Sequence, residues 1–368
     1  MRRALANVQV STVVVAAVAL VAWIGIPLIT DSFQTFQFAN VAAFVIAIIG
    51  LNLLTGYSGQ ISLGNGAFMA VGGYTTALMA HRLGAPYALT IPLGGLLAGV
   101  FGFLIGIPAL RLHGIYLALA TFALALAVTP VLNNFDTFTG GHAGVHLKPV
   151  TPPPGIDLSS EQWLYFVFWA IAGVLFIPAR LLLRSRTGRA WMSIRDSETA
   201  ARANGVNIAF YKTLAFGVSA FYAGIAGSLQ IINTTYINPD IYTLGLSLSL
   251  LIGLVIGGLG SIWGPVLGGL LVVWLPYFAE KASGINIGPV SFGGKPDIGF
   301  GLLLIIIVFL APDGLAGLFR RGMSRYRRVR GRFRDQEPVP EPVIASGRPA
   351  ATAAVENPSS AEADQIRT

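Results

Sequence analysis

His142 and His146 stand four residues apart, a spacing that sets two imidazoles on one helix face for a metal. Gly144 lies between them and argues against a helix, few carboxylates are near, and the 368-residue chain contains no cysteine. A zinc site is therefore not expected, and disulfides and thiol catalysis are excluded. No Ser/His/Asp set and no carboxylate pair stands out within the apolar stretches; Asp297 and Asp313 fall at their edges, where a charge is cheap. Phosphate chemistry fails a similar check. A nucleotide-binding P-loop needs Gly-Lys-Ser/Thr, and of the four lysines only Lys295 follows a glycine, with Pro296 after it. By that route the chain hydrolyses no ATP itself, and no bound cofactor or metal is expected.

What remains is the chemistry of contact and passage, in three stretches. The first is 52–68, NLLTGYSGQISLGNGAF, where Asn52, Ser58, Gln60, Ser62 and Asn65 alternate with Gly56, Gly59, Gly64 and Gly66. Polar side chains at membrane depth face a bundle interior or a water-filled path, and glycines let a helix break there. The stretch reads either as a substrate path or gate, or as helix–helix glue. Nothing in it ionises, so a proton relay is not expected. The second is 196–205, DSETAARANG. Asp196 or Ser197 is a good N-cap and Gly205 a good C′ residue; Glu198 suits the first turn, with Arg202 four residues on. With Ala200, Ala201 and Ala203 this predicts a thin helix of about two turns, too short to hold itself in water. It is either a docking helix held by a partner or a solvated loop with helical tendency. The third is 257–269, where Gly260, Gly264 and Gly268 recur every four residues, the spacing of close helix packing.

The elements that must position these stretches are set by composition. The chain is 54% hydrophobic and 11% charged, against roughly 25% charged in soluble domains. The bilayer must be the solvent. The expected fold is an all-α integral membrane protein, a polytopic bundle of about ten transmembrane helices, since lipid offers no partner to free backbone groups. Spans are predicted near 8–29, 38–54, 60–80, 87–107, 113–132, 162–183, 211–232, 241–260, 262–279 and 297–312. Arg2 and Arg3 ahead of the first run, with Ala17-Val18-Ala19 inside it, resemble a signal peptide, but apolar residues continue well past that point. An uncleaved first span is expected.

Alternating sides from an interior N-terminus leaves only Arg82, Lys148, Lys281 and Lys295 of the 24 Lys and Arg outside, the bias of positive-inside orientation. Both termini are then cytoplasmic. Seven interior cations, Arg180, Arg184, Arg186, Arg189, Arg195, Arg202 and Lys212, cluster around one loop. The net charge of +8 sits at span ends and in the tail, so nucleic acid is not an expected partner. The organisation expected is a transmembrane domain, 1–315, with an interior loop at 184–211 and an exterior one at 133–161. A basic juxtamembrane segment, 316–334, faces anionic lipid, and a disordered tail, 335–368, is rich in Pro, Ala, Glu and Ser.

Taken together the motifs resemble the integral-membrane permease subunits of branched-chain amino-acid ABC importers, in particular the M-type subunit of the Liv system. The resemblance runs from 38 to 318 and rests on NLLTGYSGQISLGNGAFMAVGGY, LRLHGIYLALATFA, TGRAWMSIRDSETAARANGVNIAFYKTLAFGVSAFYAGIAGSL, GLVIGGLGSIWGPVLGG and APDGLAGL. It implies an ATP-driven importer of a bacterial-type inner membrane, with a second homologous permease, two cytoplasmic ATP-hydrolysing subunits and an extracytoplasmic binding protein, working by alternating access. It also implies a coupling role for Asp196, Glu198, Ala200, Ala201, Arg202 and Gly205. Ala200, Ala201 and Gly205 fit the motif of such permeases, Glu followed by Ala-Ala, three residues, then Gly; Thr199 is interposed after Glu198. Similar chains carry urea, short-chain amides or other amino-acid-like solutes. An ion-coupled secondary transporter is the alternative from another class, and it predicts ionisable residues within the spans.

Overall fold

The computed structural model describes residues 23–110, 112, 114–155, 157–283, 314, 315 and 317. The tenth expected span, the basic segment and tail (317 apart), and the first span before residue 23 lie outside the described residues. Residues 23–29 are helical.

The continuous Leu, Ile, Val, Ala and Phe runs form helices, and breakers end them. α1 (Ser32–Leu51) passes into a π-helical turn (Asn52–Tyr57). α2 is Asn65–Leu83, stopped by Gly84 in the left-handed region at φ 63°, and Pro86 then caps α3 (Tyr87–Ala109). α4 is Ile115–Asn134, followed by the single turn α5 (Asp136–Thr139). A strand β1 (Val145–His146) precedes α6 (Ser160–Arg184), which opens on a reciprocal cap between Ser159 and Gln162. Two short helices follow, α7 (Arg186–Asp196) and α8 (Glu198–Ala203). After them come α9 (Ile208–Thr234), β2 (Tyr236–Ile237), a 3-10 turn (Pro239–Tyr242), α10 (Leu244–Gly257) and α11 (Gly264–Ser283).

Among the described residues five stretches are long and apolar enough to cross a membrane: Ser32–Tyr57, Tyr87–Ala109, Ile115–Asn134, Ser160–Arg184 and Ile208–Thr234. The third expected span starts at Asn65 rather than at residue 60, because residues 58–64 leave the helix. α10 has 14 residues, or about 21 Å at 1.5 Å per residue, short of the roughly 30 Å hydrocarbon thickness. It folds back on α11 as a hairpin.

α1 and α9 are the centre. Every residue from Val41 to Leu51 is buried, as expected of a helix apolar all round. α9 packs against α1, α2 and α3. A Cβ on Gly72 would fall 2.0 Å from the Gly224 carbonyl oxygen, and one on Gly227 would fall 2.0 Å from that of Met69. Bare backbone is what lets α2 and α9 approach. The outer helices α3, α4 and α6 expose Leu96, Val100, Leu104, Leu119, Leu126, Val174 and Ile177, rows that need an apolar surround.

The connections gather in two sets at opposite ends of α9. Near its start lie the π-turn, the α7–α8 loop and the Gly260 turn, joined by Arg195 and Asn52. Near its end, Val145 pairs with Ile237 and His146 with Tyr236 in an antiparallel ladder, and Arg82 donates to the Thr137 carbonyl. These sets are the segments that alternation places on one side and on the other.

Candidate functional site: the α7–α8 platform and the broken helix

Ser185 turns the chain at the end of α6. Its hydroxyl donates to the Leu182 carbonyl and accepts from the Thr187 amide, starting α7. α7 buries Gly188, Ala190, Trp191 and Ile194 on one side. The Trp191 indole donates to the Tyr211 carbonyl at 2.8 Å, which fixes α7 to α9.

α8 forms as expected, with its boundaries sharpened. Its N-cap is Ser197, whose hydroxyl accepts from the Ala200 amide, while Asp196 is the last residue of α7. At the other end Gly205 donates to the Arg202 carbonyl and Val206 to that of Ala201, both 3.0 Å. With Gly205 at φ 78° this is a Schellman cap. Ala201 is fully buried with Ile194, Ile208, Val206 and Tyr211 beneath it. Six residues are too few for a helix to stand in water, and this small apolar cluster is part of what holds it.

The rest is electrostatic. Glu198 pairs with Lys212 across the loop at 2.5 Å, and that lysine is 7% exposed. A nearly buried ammonium needs a carboxylate more than the exposed Arg202 guanidinium does, and Glu198 supplies it. Thr199, Ala200, Arg202, Ala203, Asn204 and Gly205 are exposed. Of the six residues assigned to coupling, Ala201 and Glu198 anchor the helix, Ala200, Arg202 and Gly205 form its open face, and Asp196 lies exposed beside it.

The polar stretch folds as a broken helix. Asn52 accepts from the Gly260 amide at 2.9 Å and donates to the Ser261 carbonyl at 2.8 Å. Gln60 donates to the Ser58 hydroxyl at 2.5 Å and, at 3.4 Å, to the Lys212 carbonyl. Ser62 accepts from the Gly64 amide. All five polar residues are buried within the chain. Four of them satisfy the freed backbone or one another. Asn65, at the start of α2, has both amide atoms buried without a hydrogen-bond partner.

The third stretch divides. A Cβ on Gly264 would meet the Gly258 carbonyl at 2.5 Å, and one on Gly268 the Gly253 carbonyl at 2.1 Å, so these two bring α11 against the α10 end of the hairpin. Gly260 lies in the turn between the helices at φ 68°, in the left-handed region. The histidines separate as well. His142 is in a 3-10 turn, 3.4 Å from Asp240, whereas His146 is in β1 and packs its ring, tilted by 38°, against Tyr236.

Sequence reasoning missed Arg195, Trp191 and Lys212 as site residues. Arg195 donates to the Gly56 carbonyl at 2.8 Å. In the sequence it is one cation among seven, and nothing local marks its partner 139 residues away.

A family model described as the branched-chain amino acid transport system / permease component matches residues 35–311. The high-affinity branched-chain amino acid transport system permease protein LivM of Escherichia coli (strain K12) is 34% identical over 241 residues, which is 59% of this chain and 57% of that protein. The related permease protein BraD of Pseudomonas aeruginosa is 28% identical over 163 residues, 44% of this chain and 50% of BraD. The autoinducer 2 import system permease protein LsrC of Klebsiella pneumoniae is 28% identical over 174 residues, 46% of each chain. The chain thus spans under two thirds of the length of the curated relatives it matches. No solved structure matches it.

Proposed function

This chain belongs to the branched-chain amino acid transport system permease family, and from that premise we propose that it is one membrane subunit of an ATP-driven importer. Its cargo is leucine, isoleucine and valine. It forms the translocation path with a second, homologous permease. Two cytoplasmic subunits hydrolyse the ATP, and an extracytoplasmic protein delivers the solute. In this reading the chain is a transport subunit without an ATPase site of its own. About ten helices, the short α10 among them, build a multi-pass fold in a bacterial-type inner membrane, with both termini inside.

The observation that carries the reading is α8. A six-residue helix is capped at both ends, anchored by the nearly buried Lys212 and by Ala201, and presents Ala200, Arg202, Ala203 and Gly205 outward. The anchoring lets a push on that face reach α9 and the bundle without melting the helix. The broken helix behind it supports the passage role, since irregular backbone at membrane depth is tolerated where it lines a cavity or is packed in protein.

The test is co-purification with candidate ATP-hydrolysing subunits, then reconstitution with the binding protein and the second permease. Leucine uptake is expected only with the ATP-hydrolysing subunits present. Uptake that persists without them, driven by an ion gradient, would overturn the reading in favour of a secondary transporter. Uptake of urea or a short-chain amide in place of leucine would keep the mechanism and replace the cargo.

A further inference from the structure

Three distant stretches of the chain meet at one guanidinium. The π-turn ends the long central helix and leaves its last carbonyls without partners of the usual register. Ser58 and Gln60 amides reach back to Leu53 and Leu54, and the Gly56 carbonyl takes its donor from Arg195 Nη1 at 2.8 Å. A cation at the negative end of a helix is the favourable sign. Gly59, at φ 74°, passes so close that a Cβ there would lie 2.8 Å from Arg195 Cγ. Gly260 lies on the other side, where a Cβ would be 3.4 Å from both Arg195 Nη1 and the Gly56 carbonyl oxygen. Asn52 holds that turn through Gly260 and Ser261. Arg195 Nε also stands 3.5 Å from Asp196, its chain neighbour.

We propose that Arg195 is the positioning residue that carries movement of α8 into the broken helix at 52–64. This rests on the reading that α8 engages an ATP-hydrolysing subunit. Arg195 is three residues ahead of Glu198, and only Ser197 separates α7 from α8. Trp191 and the Glu198–Lys212 pair tie the same platform to α9. A shift of α8 therefore moves the end of α7, and the guanidinium transmits it to the Gly56 carbonyl and, through Asn52, to the turn that leads into α11. The arginine side chain is 46% exposed, but its removal takes a donor from the carbonyl of the buried Gly56. Assembly is therefore read beside coupling, and Arg195→Lys, which keeps a donor there, separates linkage from stability.

The experiment uses the complete importer in proteoliposomes, with the second permease, the ATP-hydrolysing subunits and the binding protein. Leucine taken up per ATP hydrolysed is measured for wild type, Arg195→Ala, Arg195→Gln and Arg195→Lys. Coupling between sites commonly amounts to about fivefold or more. Arg195→Ala and Arg195→Gln are expected to assemble, to keep hydrolysing ATP, and to lose about fivefold in leucine per ATP. Arg195→Lys, which still places one donor on the carbonyl, should regain at least half of that loss. An unchanged ratio in the Ala and Gln variants overturns the assignment, and so does failure of all three variants to assemble, which would make Arg195 a folding residue. Wild-type uptake that ignores ATP overturns the functional reading and this assignment together; ATP-driven wild-type uptake with equally coupled variants overturns this assignment alone.

Discussion

Lys212 Nζ and Glu198 Oε1 stand 2.5 Å apart and join the first residue of α8 to the second turn of α9. The lysine is nearly buried and the glutamate about one third exposed. That asymmetry sets what each substitution does. Glu198→Gln leaves a buried ammonium facing no formal charge. Removing one partner of a buried pair costs roughly 3–5 kcal/mol, and the part-exposed glutamate lowers this to about 2 kcal/mol. Lys212→Met costs less, because the glutamate it leaves is about one third exposed and reached by water, and the methionine keeps much of the lysine's apolar packing. The double variant should recover part of the Glu198→Gln loss. Thermal unfolding in detergent reads all three; a lysine variant worse than the glutamine variant would contradict this account of the pair.

Gly205 tests the cap. A Cβ there meets nothing within 4 Å, so the strain of φ 78° is the whole penalty. Gly205→Val should cost roughly 1–2 kcal/mol, as expected for a side chain forced into the left-handed region, and Gly205→Asn less. Membrane insertion is expected to survive both. Co-purification of the ATP-hydrolysing subunits should fall with Val and hold with Asn; full transport by the Val variant would remove α8 from the coupling route.

The glycines of the α2–α9 contact make a sharper pair with a control. Gly72→Ala and Gly227→Ala drive a methyl group into backbone carbonyls at 2.0 Å, where overpacking costs typically 1–3 kcal/mol or more. Gly173, in α6, has nothing within 4 Å, and Gly173→Ala should be neutral or gain about 0.5 kcal/mol from helix propensity. Expression and melting temperature distinguish the three.

The polar stretch divides in the same way. Asn52→Leu should destabilise, since it strands the Gly260 amide and the Ser261 carbonyl at about 1–3 kcal/mol for each group left unsatisfied. Asn65→Leu removes an amide that has no partner, so melting temperature should hold or rise while uptake falls. A buried polar group retained against stability is the mark of function in a membrane. Undiminished uptake in Asn65→Leu would make it packing instead.

The long apolar helices among the described residues and the capped α8 were legible because each is written locally, whereas α7 lies in what the sequence reads as a loop. The apolar runs set the spans, Ser197 and Gly205 bound α8, and Gly84 and Pro86 punctuate α2 and α3. Boundaries slipped where local signals compete, as in 58–64, where glycines end a helix that hydropathy would continue. Contacts between distant residues were not legible. Lys212 prefers Glu198 over a lipid surface, and Arg195 prefers the Gly56 carbonyl over water, only because packing brings them together. Gly72, Gly224 and Gly227 looked like ordinary membrane glycines until α2 and α9 were placed side by side.

The central claim is that α8 is where an ATP-hydrolysing subunit engages this chain. The chain contains no cysteine, so Ala203→Cys, on the exposed face of α8, supplies a single thiol. A short thiol-to-amine cross-linker applied to the assembled importer in membrane vesicles should join this chain to the ATP-hydrolysing subunit. The yield should change when ATP is added, and Thr137→Cys, exposed at the other end of the bundle, should give no such product. ATP-driven uptake by the Ala203→Cys importer, with no cross-link to that subunit in any nucleotide state, would contradict the claim.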